Sequence, residues 1–208
     1  MATCSPNWKT TCRSSGLPDK GSLVRSYLAT LAAYVALLPL LWSGITHAGS
    51  LRRFRGIIQR QAVWPRRHAF AAALWTTSAE LGLAAFGLLV LVVGAHDILA
   101  PTLLLAALMY LGLALYIALV LKHSPGAPCG CSTGEEPANV YVLWRGLGLL
   151  SVSLLATLDA AYVQQPWPMT AEACLPLIGG LAITVITWAL PSAMHDPYRS
   201  SNKASVRT

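Results

Sequence analysis

The sequence predicts an all-α integral membrane protein, an antiparallel four-helix transmembrane bundle with a fifth, shorter span. Hydrophobic residues make up 55% of the 208 residues and charged residues only 11%, against roughly 25% charged residues in soluble domains. The apolar residues are also contiguous, and a bilayer core needs about 20 of them in a helix. Five such runs are present, at Tyr27–Thr46, Ala69–Gly94, Ile98–Leu121, Val140–Val163 and the shorter Cys174–Leu190. Runs this long are not barrel strands, so helices must cross the bilayer.

The first apolar run is predicted to be a retained membrane span that follows a polar tail. Residues 1–22 are polar and are expected to be disordered, the bundle is placed at 23–192, and residues 193–208 form a second polar tail. The tripeptide Thr46-His47-Ala48 has the small residues that signal peptidase favours. However, the run before it is longer than the roughly 7–15 apolar residues of a signal peptide. We therefore expect the run to remain in the protein.

The basic segment Leu51–His68 joins the first two runs and contains six of the arginines behind the net charge of +7. One interpretation is an amphipathic helix on anionic lipid, because its apolar residues recur at three- and four-residue steps and most arginines lie elsewhere. These apolar residues are Leu51, Phe54, Ile58 and Ala62. The other interpretation is an ordinary basic loop between two spans. In both cases the charge faces lipid headgroups, and no nucleic-acid partner is expected.

The later runs are joined by one tight turn and two polar loops. The turn at Ala95–Asp97 is short, so the second and third spans are predicted to be antiparallel neighbours. The loop Lys122–Asn139 holds three prolines and three glycines, which prevents it from being helical throughout. This loop carries the tripeptide Cys129-Gly130-Cys131. A second loop, 164–173, precedes the fifth span.

Cys129 and Cys131 are the candidate redox pair. Two thiols separated by one residue can close a small, strained disulfide ring, and strained disulfides tend to be labile or catalytic. Gly130 permits backbone angles that a residue with a Cβ atom resists. One alternative is a soft-metal site, since thiolates bind Cu(I) or Zn(II); the only further ligand nearby is His123, so no metal site is predicted. The other alternative is two inert loop thiols.

Two charged residues lie inside the apolar runs. Glu80 is near the middle of the second run, and Arg145 is near the start of the fourth. Because facing either charge to lipid is costly, both are predicted to point into the bundle and to lie within reach of each other, directly or through one polar group. The pair would be either an architectural ion pair or part of a proton relay. Asp159, near the other end of the fourth run, is expected to be solvated at the interface.

The order of these features resembles the MauE family of methylamine utilisation membrane proteins, which belong with the DoxX-like four-helix bundles. The resemblance covers about residues 28–162, and its most specific element is Cys-Gly-Cys followed by Arg145. The motifs that carry it, in chain order, are Phe54-Arg55-Gly56-Ile57, Glu80 with Gly82, Cys129-Gly130-Cys131 and Trp144-Arg145-Gly146.

The resemblance implies a role in maturing a secreted or periplasmic redox enzyme of the methylamine dehydrogenase type. By motif, Cys129 and Cys131 are the implied redox pair, with Glu80 and Arg145 as intramembrane polar positions. A thioredoxin-like protein is the implied partner, so the chain is expected to be a thiol–disulfide oxidoreductase component and not a stand-alone enzyme. No cofactor is certain, and a quinone is the candidate electron acceptor. The alternative function is a non-catalytic membrane scaffold or anchor for a maturation factor, with structural or metal-binding thiols.

The orientation of the Cys129 loop is the point on which two sequence signals disagree. With five spans, ten basic residues lie on the face of that loop and four on the other face, so the positive-inside rule places the loop in the cytoplasm. Disulfide chemistry belongs outside the cytoplasm. Since six of the ten residues sit in a segment that can serve lipid binding, we expect the loop on the outer face of the cell membrane.

Overall fold

The computed structural model of the chain describes residues 20–61, 63, 65–124, 126–128, 138–163 and 171–193. Regular structure in these residues is helical, apart from an isolated bridge at Pro128. The helices are α1 (Lys20–Gly49), α2 (Leu51–Gln61), α3 (Ala69–Val93), α4 (His96–His123), α5 (Val140–Leu158) and α6 (Ala171–Ala193), with single 3₁₀ turns at Arg66–His68 and Ala160–Tyr162. Most of the expected tails at 1–22 and 193–208 lies outside the described residues, although α1 already begins at Lys20 and α6 extends to Ala193.

Four helices are long and apolar enough to cross a membrane, which confirms the predicted fold class. They are Gly21–Gly49, Arg66–Val93, His96–His123 and Val140–Leu158. A shorter apolar stretch, Cys174–Ala189, lies within α6. This helix packs mainly against α1 and therefore lies beside the four-helix core.

α1 is the central helix of the bundle, in contact with α3, α4, α5 and α6. Its membrane-spanning stretch is 61% buried, compared with 22–39% for the other three long helices. Small residues at buried positions such as Ala29, Ala33 and Ala36 allow neighbouring helices to approach α1 closely, as is usual where lipid gives no hydrophobic drive for association. The first apolar run of the sequence thus supplies the core around which the others pack.

Two glycines show how close these approaches are. A Cβ atom on Gly180 of α6 would lie 2.7 Å from the Cβ of Tyr34 in α1. A Cβ atom on Gly82 of α3 would meet nothing within 4 Å. The contact at Gly180 involves an atom attached directly to the backbone of α1, so a side chain there can be accommodated only if the two helices separate.

Gly180→Ala is therefore expected to lower the free energy of unfolding by about 1–3 kcal/mol, the usual cost of overpacking. Gly82→Ala is the matched control, and it should be neutral or stabilising by up to about 1 kcal/mol, since alanine is the better helix former. Thermal unfolding of the detergent-solubilised variants measures both changes. Equal stabilities for the two variants would contradict the close α1–α6 contact.

α2 is a short amphipathic helix packed on the bundle. This agrees with the interpretation of the basic segment as an amphipathic helix and not with its interpretation as a loop. Ile57, Ile58 and Gln61 are buried, and Ile58 packs in a cluster with Ala69 and Ala73 of α3. The four arginines of this helix, Arg52, Arg53, Arg55 and Arg60, are all exposed. The segment is thus a helix with an apolar face on α3 and exposed arginines, of which Arg55 lies over the ring of Phe70 in α3.

The turn between α3 and α4 is as tight as its sequence predicts. Gly94 adopts a left-handed conformation with φ of 74°, and its N–H donates to the Val90 carbonyl at 2.9 Å. This is the common way to end a helix at glycine. α3 and α4 therefore run antiparallel, and the ends of α1, α2 and α4 and the start of α5 lie at the same end of the bundle, as the Cys129 loop joins α4 to α5.

Candidate functional site

Glu80 is the best buried charged residue of the membrane-spanning helices, with 1% of its surface exposed. Its two carboxylate oxygens accept hydrogen bonds from the Ser43 hydroxyl at 3.1 and 3.2 Å. His47 Nδ1 lies 2.9 Å from Glu80 Oε2. Both partners come from α1, so the carboxylate is satisfied by the central helix and points into the bundle rather than into lipid.

His47 is held in place by a second contact besides Glu80. It lies in the last turn of α1, is 5% exposed, and its ring stacks on Phe54 of α2, with centroids 3.9 Å apart and an angle of 5° between the planes. Sequence reasoning did not identify His47 as a site residue. A signal was present, since Ser43 and His47 are four residues apart and therefore share one face of a helix.

Arg145 does not form a direct ion pair with Glu80. It lies in the second turn of α5 and is partly buried, and its guanidinium carbon is 5.4 Å from the centre of the Trp188 ring in α6. Among the described residues, no carboxylate lies within 4 Å of it. The physical reason is the order of the helices in the bundle. Because α1 packs directly against α3, Ser43 and His47 of α1 are the residues that lie beside the Glu80 carboxylate.

Glu80 and Arg145 line the same space, a cavity of about 90 Å³ that we call the inner cavity. The inner cavity lies at the end of the bundle where α1, α2 and α4 finish and α5 begins. The polar side chains in its wall include Ser43, His47, Gln61, Glu80, Tyr110 and Arg145. The rest of the wall is mostly aliphatic and aromatic. The two predicted intramembrane residues thus line one cavity without forming an ion pair.

α6 closes one side of the inner cavity with Thr184, Thr187 and Trp188. Pro39, in the middle of α1, lines it as well. A proline has no N–H to donate and interrupts the hydrogen bonds of a helix. Close to this interruption, the Tyr110 hydroxyl of α4 donates to the Ala36 carbonyl at 2.9 Å, as expected where backbone groups inside a membrane need side-chain partners.

Gln61, the last residue of α2, connects the inner cavity to the loop that carries the cysteines. Its side chain is 2% exposed, and its amide nitrogen donates to the Pro128 carbonyl at 2.8 Å. Its amide oxygen accepts from the Tyr116 hydroxyl, and its backbone carbonyl accepts from the Ser124 hydroxyl at 2.8 Å. The residue that directly precedes Cys129 is therefore fixed to the bundle.

The two ends of the loop are also joined to each other. The Ala138 N–H donates to the Ala127 carbonyl at 2.8 Å, and α5 then begins with Asn139, whose side chain accepts from the Val142 N–H at 3.1 Å. Residues 129–137, including Cys129 and Cys131, lie outside the described residues. The structure thus defines the base of this loop, and the redox interpretation of its thiols stays a prediction.

Gln61→Leu is expected to loosen the base of the loop, because it leaves the Pro128 carbonyl and the Tyr116 hydroxyl without this partner. Each orphaned buried group costs about 1–3 kcal/mol, so the Ala138 amide should exchange with deuterium roughly tenfold faster or more. Tyr116→Phe is the matched control, since it keeps the bond from Gln61 to Pro128. Unchanged exchange at Ala138 in Gln61→Leu would show that Gln61 does not hold the loop.

The remaining candidate residues lie apart from the inner cavity or have ordinary partners. At the other end of the bundle, Asp159 accepts from Arg25 Nη2 at 2.6 Å in a partly exposed ion pair, so it is paired rather than simply solvated. Cys174, in α6, is a free cysteine. His123 Nδ1 is 3.0 Å from the Leu119 carbonyl of its own helix. In the described ranges no three His, Cys, Asp or Glu side chains cluster as a metal site would require.

Chemically, the site combines the hydrogen-bonded His47–Glu80 pair with Arg145, which has no carboxylate within 4 Å among the described residues. Whichever group carries it, one proton lies between His47 Nδ1 and Glu80 Oε2. The nearby Arg145 supplies hydrogen-bond donors and a positive charge. Such a cavity, apolar with a few converging polar groups, is the usual form of a small-molecule site.

A comparison with protein families matches residues 25–159 to the family described as methylamine utilisation protein MauE. No curated protein and no solved structure matches the chain. The matched region includes α2, α3, α4, α5 and most of α1, and it contains Glu80, Arg145 and both cysteines of the loop. It does not include α6, so Thr184, Thr187 and Trp188 extend the wall of the inner cavity beyond the matched region.

Proposed function

Because the chain belongs to the MauE family of methylamine utilisation proteins, we propose that it is the membrane component of a system that forms disulfides in a redox enzyme outside the cytoplasm. Cys129 and Cys131 exchange disulfides with a thioredoxin-like partner at the outer face of the cell membrane. The enzyme that matures in this way is of the methylamine dehydrogenase type. Family membership and four membrane-spanning helices support the setting, and the thiols supply the chemistry.

The observation that carries the proposal is the anchored base of the cysteine loop. Gln61 binds the Pro128 carbonyl, and Ala138 bonds to Ala127, so both ends of the loop are held at one end of the bundle. A loop held in this way keeps two thiols at the membrane surface, where a soluble partner can reach them. An inert connection between two spans has no need for a buried glutamine that fixes the residue before its first cysteine.

The exchange itself is a balanced two-electron reaction. A thiolate of the reduced partner attacks the Cys129–Cys131 disulfide and forms a mixed disulfide, and the second thiol of the partner then resolves it. The partner leaves with a disulfide, and the Cys129–Cys131 pair keeps two electrons and two protons. A small disulfide ring favours this direction, because strained disulfides are more oxidising.

The exposed arginines of α2 support the outer-face orientation. Arg52, Arg53, Arg55 and Arg60 are exposed, on a helix at the same end of the bundle as the cysteine loop. Arginines on an amphipathic surface helix can bind anionic lipid headgroups. Four of the ten basic residues on this face therefore have a role other than marking the cytoplasmic side.

Alkylation of intact cells with a membrane-impermeant maleimide, before and after reduction, tests this proposal. We expect Cys129 and Cys131 to resist labelling until the cells are reduced and then to label without permeabilisation. The background should carry Cys4→Ser, Cys12→Ser and Cys174→Ser, so that the other three of the five cysteines do not contribute to the labelling. Labelling only after permeabilisation would place the loop in the cytoplasm, and free thiols under all conditions would leave the scaffold function instead.

A further inference from the structure

We propose that the bundle holds a binding site for a membrane-soluble quinone, formed by the inner cavity and a groove beside it. This inference rests on the proposed function, in which the reduced Cys129–Cys131 pair must pass on its electrons to act again. The site itself is made of described residues and can be tested without the thiols.

Arg145 identifies the kind of atom that the inner cavity binds. It lines the cavity and has no carboxylate within 4 Å in the described part of the chain. A guanidinium in an apolar setting needs an acceptor. A ligand carboxylate would bring a second negative charge into the cavity that Glu80 lines, whereas a neutral carbonyl oxygen accepts from Arg145 without that repulsion.

The His47–Glu80 pair identifies the kind of reaction that the ligand undergoes. The two residues share one proton over 2.9 Å, inside a wall that is otherwise mostly apolar. Reduction of a quinone to a quinol takes up two electrons and two protons. A pair that holds a proton beside the bound ring can deliver one of them, and the aromatic side chains of Tyr110 and Trp188 in the wall can pack against a ring.

An adjoining outer groove offers room for the tail of such a molecule. The outer groove has a volume of about 500 Å³ and lies between α2, α3 and α4, with Ile58, Trp75, Leu108 and Met109 among its walls. Trp75 is 77% exposed and Leu108 is 54% exposed. Since both belong to membrane-spanning helices, their exposed sides face lipid, and the groove is open to the bilayer.

The inner cavity and the outer groove share three wall residues, Phe54, Leu113 and Tyr116. These three side chains separate the two spaces, so a ligand with a polar ring and an apolar tail occupies both by passing its chain between them. Together the two spaces lie within the roughly 300–1,000 Å³ of small-molecule sites. Phe54 also stacks on His47, so the shared wall touches the proton-holding pair directly.

The resulting redox step is balanced. Oxidation of the Cys129–Cys131 dithiol to a disulfide releases two electrons and two protons, and a quinone takes up the same number to become a quinol. The quinol then leaves through the outer groove into the bilayer. No further oxidant is required for the step.

Binding of a benzoquinone with a decyl chain, measured by tryptophan fluorescence, tests the site directly. The protein is placed in nanodiscs of synthetic phosphatidylcholine, and decanol serves as the matched probe without a ring. We expect saturable quenching by the quinone that decanol does not compete away. Because Trp188 lines the inner cavity, Trp188→Phe should remove part of the quenching amplitude.

Two arginine variants locate the site. Arg145→Leu removes a charged hydrogen bond and should weaken binding by about tenfold or more, while Arg145→Lys should retain part of the affinity. Arg53→Leu is the matched control, since Arg53 is exposed on α2 and lines neither space. Gel filtration and circular dichroism confirm that each variant is folded.

Several outcomes would overturn the site. The first is quenching that does not saturate with quinone concentration. The second is competition by decanol as strong as that by the quinone, which would mean a lipid groove only. The third is the same quinone affinity in Arg145→Leu and in Arg53→Leu. The same titration with Cys129 and Cys131 both changed to serine separates the two proposals. If the protein binds quinone but Cys129 and Cys131 do not cycle, the quinone site stands and the proposed function is wrong. If the two thiols cycle but no quinone binds, the proposed function stands and the quinone site is wrong.

Discussion

Replacing Cys129 or Cys131 by serine is expected to reduce maturation of the target enzyme to background. A serine hydroxyl is not ionised near neutral pH and cannot attack a disulfide, whereas a thiolate can. Both sulfurs are needed, because one forms the mixed disulfide with the partner and the other completes the oxidised pair. The measurement is the fraction of target protein with its disulfides closed, read by alkylation in cells that carry each variant.

Cys174→Ser is the matched control for the loop cysteines. Cys174 is a free, partly buried thiol of α6, outside the region that matches the family, so its loss should leave maturation unchanged. The lone thiol of a single loop variant can attack only the disulfide of an oxidised partner, which releases the partner's second sulfur as a thiolate. Each single variant should therefore form a mixed disulfide when the oxidised thioredoxin-like partner is supplied, and non-reducing gels resolve this product. Normal target disulfides in both loop variants would refute the redox function and favour a scaffold.

Replacing Glu80 by alanine is expected to lower the free energy of unfolding by about 3–5 kcal/mol, the usual cost of breaking a buried pair. The change leaves His47 Nδ1 and the Ser43 hydroxyl without their shared acceptor at a fully buried position. Glu80→Gln, which keeps the shape and one acceptor oxygen, should cost less. Thermal or denaturant unfolding in detergent gives the three stabilities.

Asp159→Asn is the control for removal of a carboxylate as such. Asp159 pairs with Arg25 at 2.6 Å, but the side chains are 33% and 54% exposed, so this pair should contribute less than about 1 kcal/mol. The quantity to compare is the loss of unfolding free energy in Glu80→Ala and in Asp159→Asn. If Glu80→Ala costs no more than Asp159→Asn, the Ser43–His47–Glu80 network does not stabilise the bundle.

Much of the fold could be predicted from the sequence, because the bilayer allows few solutions. A run of about 20 apolar residues must cross it as a helix, which was enough to identify four spans and the shorter fifth. The short turn at Gly94 follows from the spacing of two runs. The cost of a charge in lipid likewise requires Glu80 to face inward. Each of these conclusions depends only on the polarity of one residue or segment and on the lipid or water around it, and not on contacts with distant parts of the chain.

The partners of Glu80 could not be predicted in the same way. Arg145 and His47 are both able to pair with a carboxylate, and the choice depends on which helix lies against α3. Tertiary packing puts α1 there, so Ser43 and His47 form the bonds, and Arg145 lines the same cavity without pairing with Glu80. The order of the helices and the rotation of each about its axis are properties of the whole packed bundle. The sequence around Glu80 therefore does not indicate which residue pairs with it.

The loop base and the cavity walls were decided by tertiary structure for the same reason. Gln61 lies 67 positions before Pro128 in the chain, and nothing in the sequence around it indicates that bond. α6 contributes Thr184, Thr187 and Trp188 to a cavity whose other walls come from α1 to α5. The sequence by itself determined what enters the membrane and where two thiols sit along the chain. Only the packing decided what lies beside them, because contacts between distant segments depend on the shapes of all the helices together.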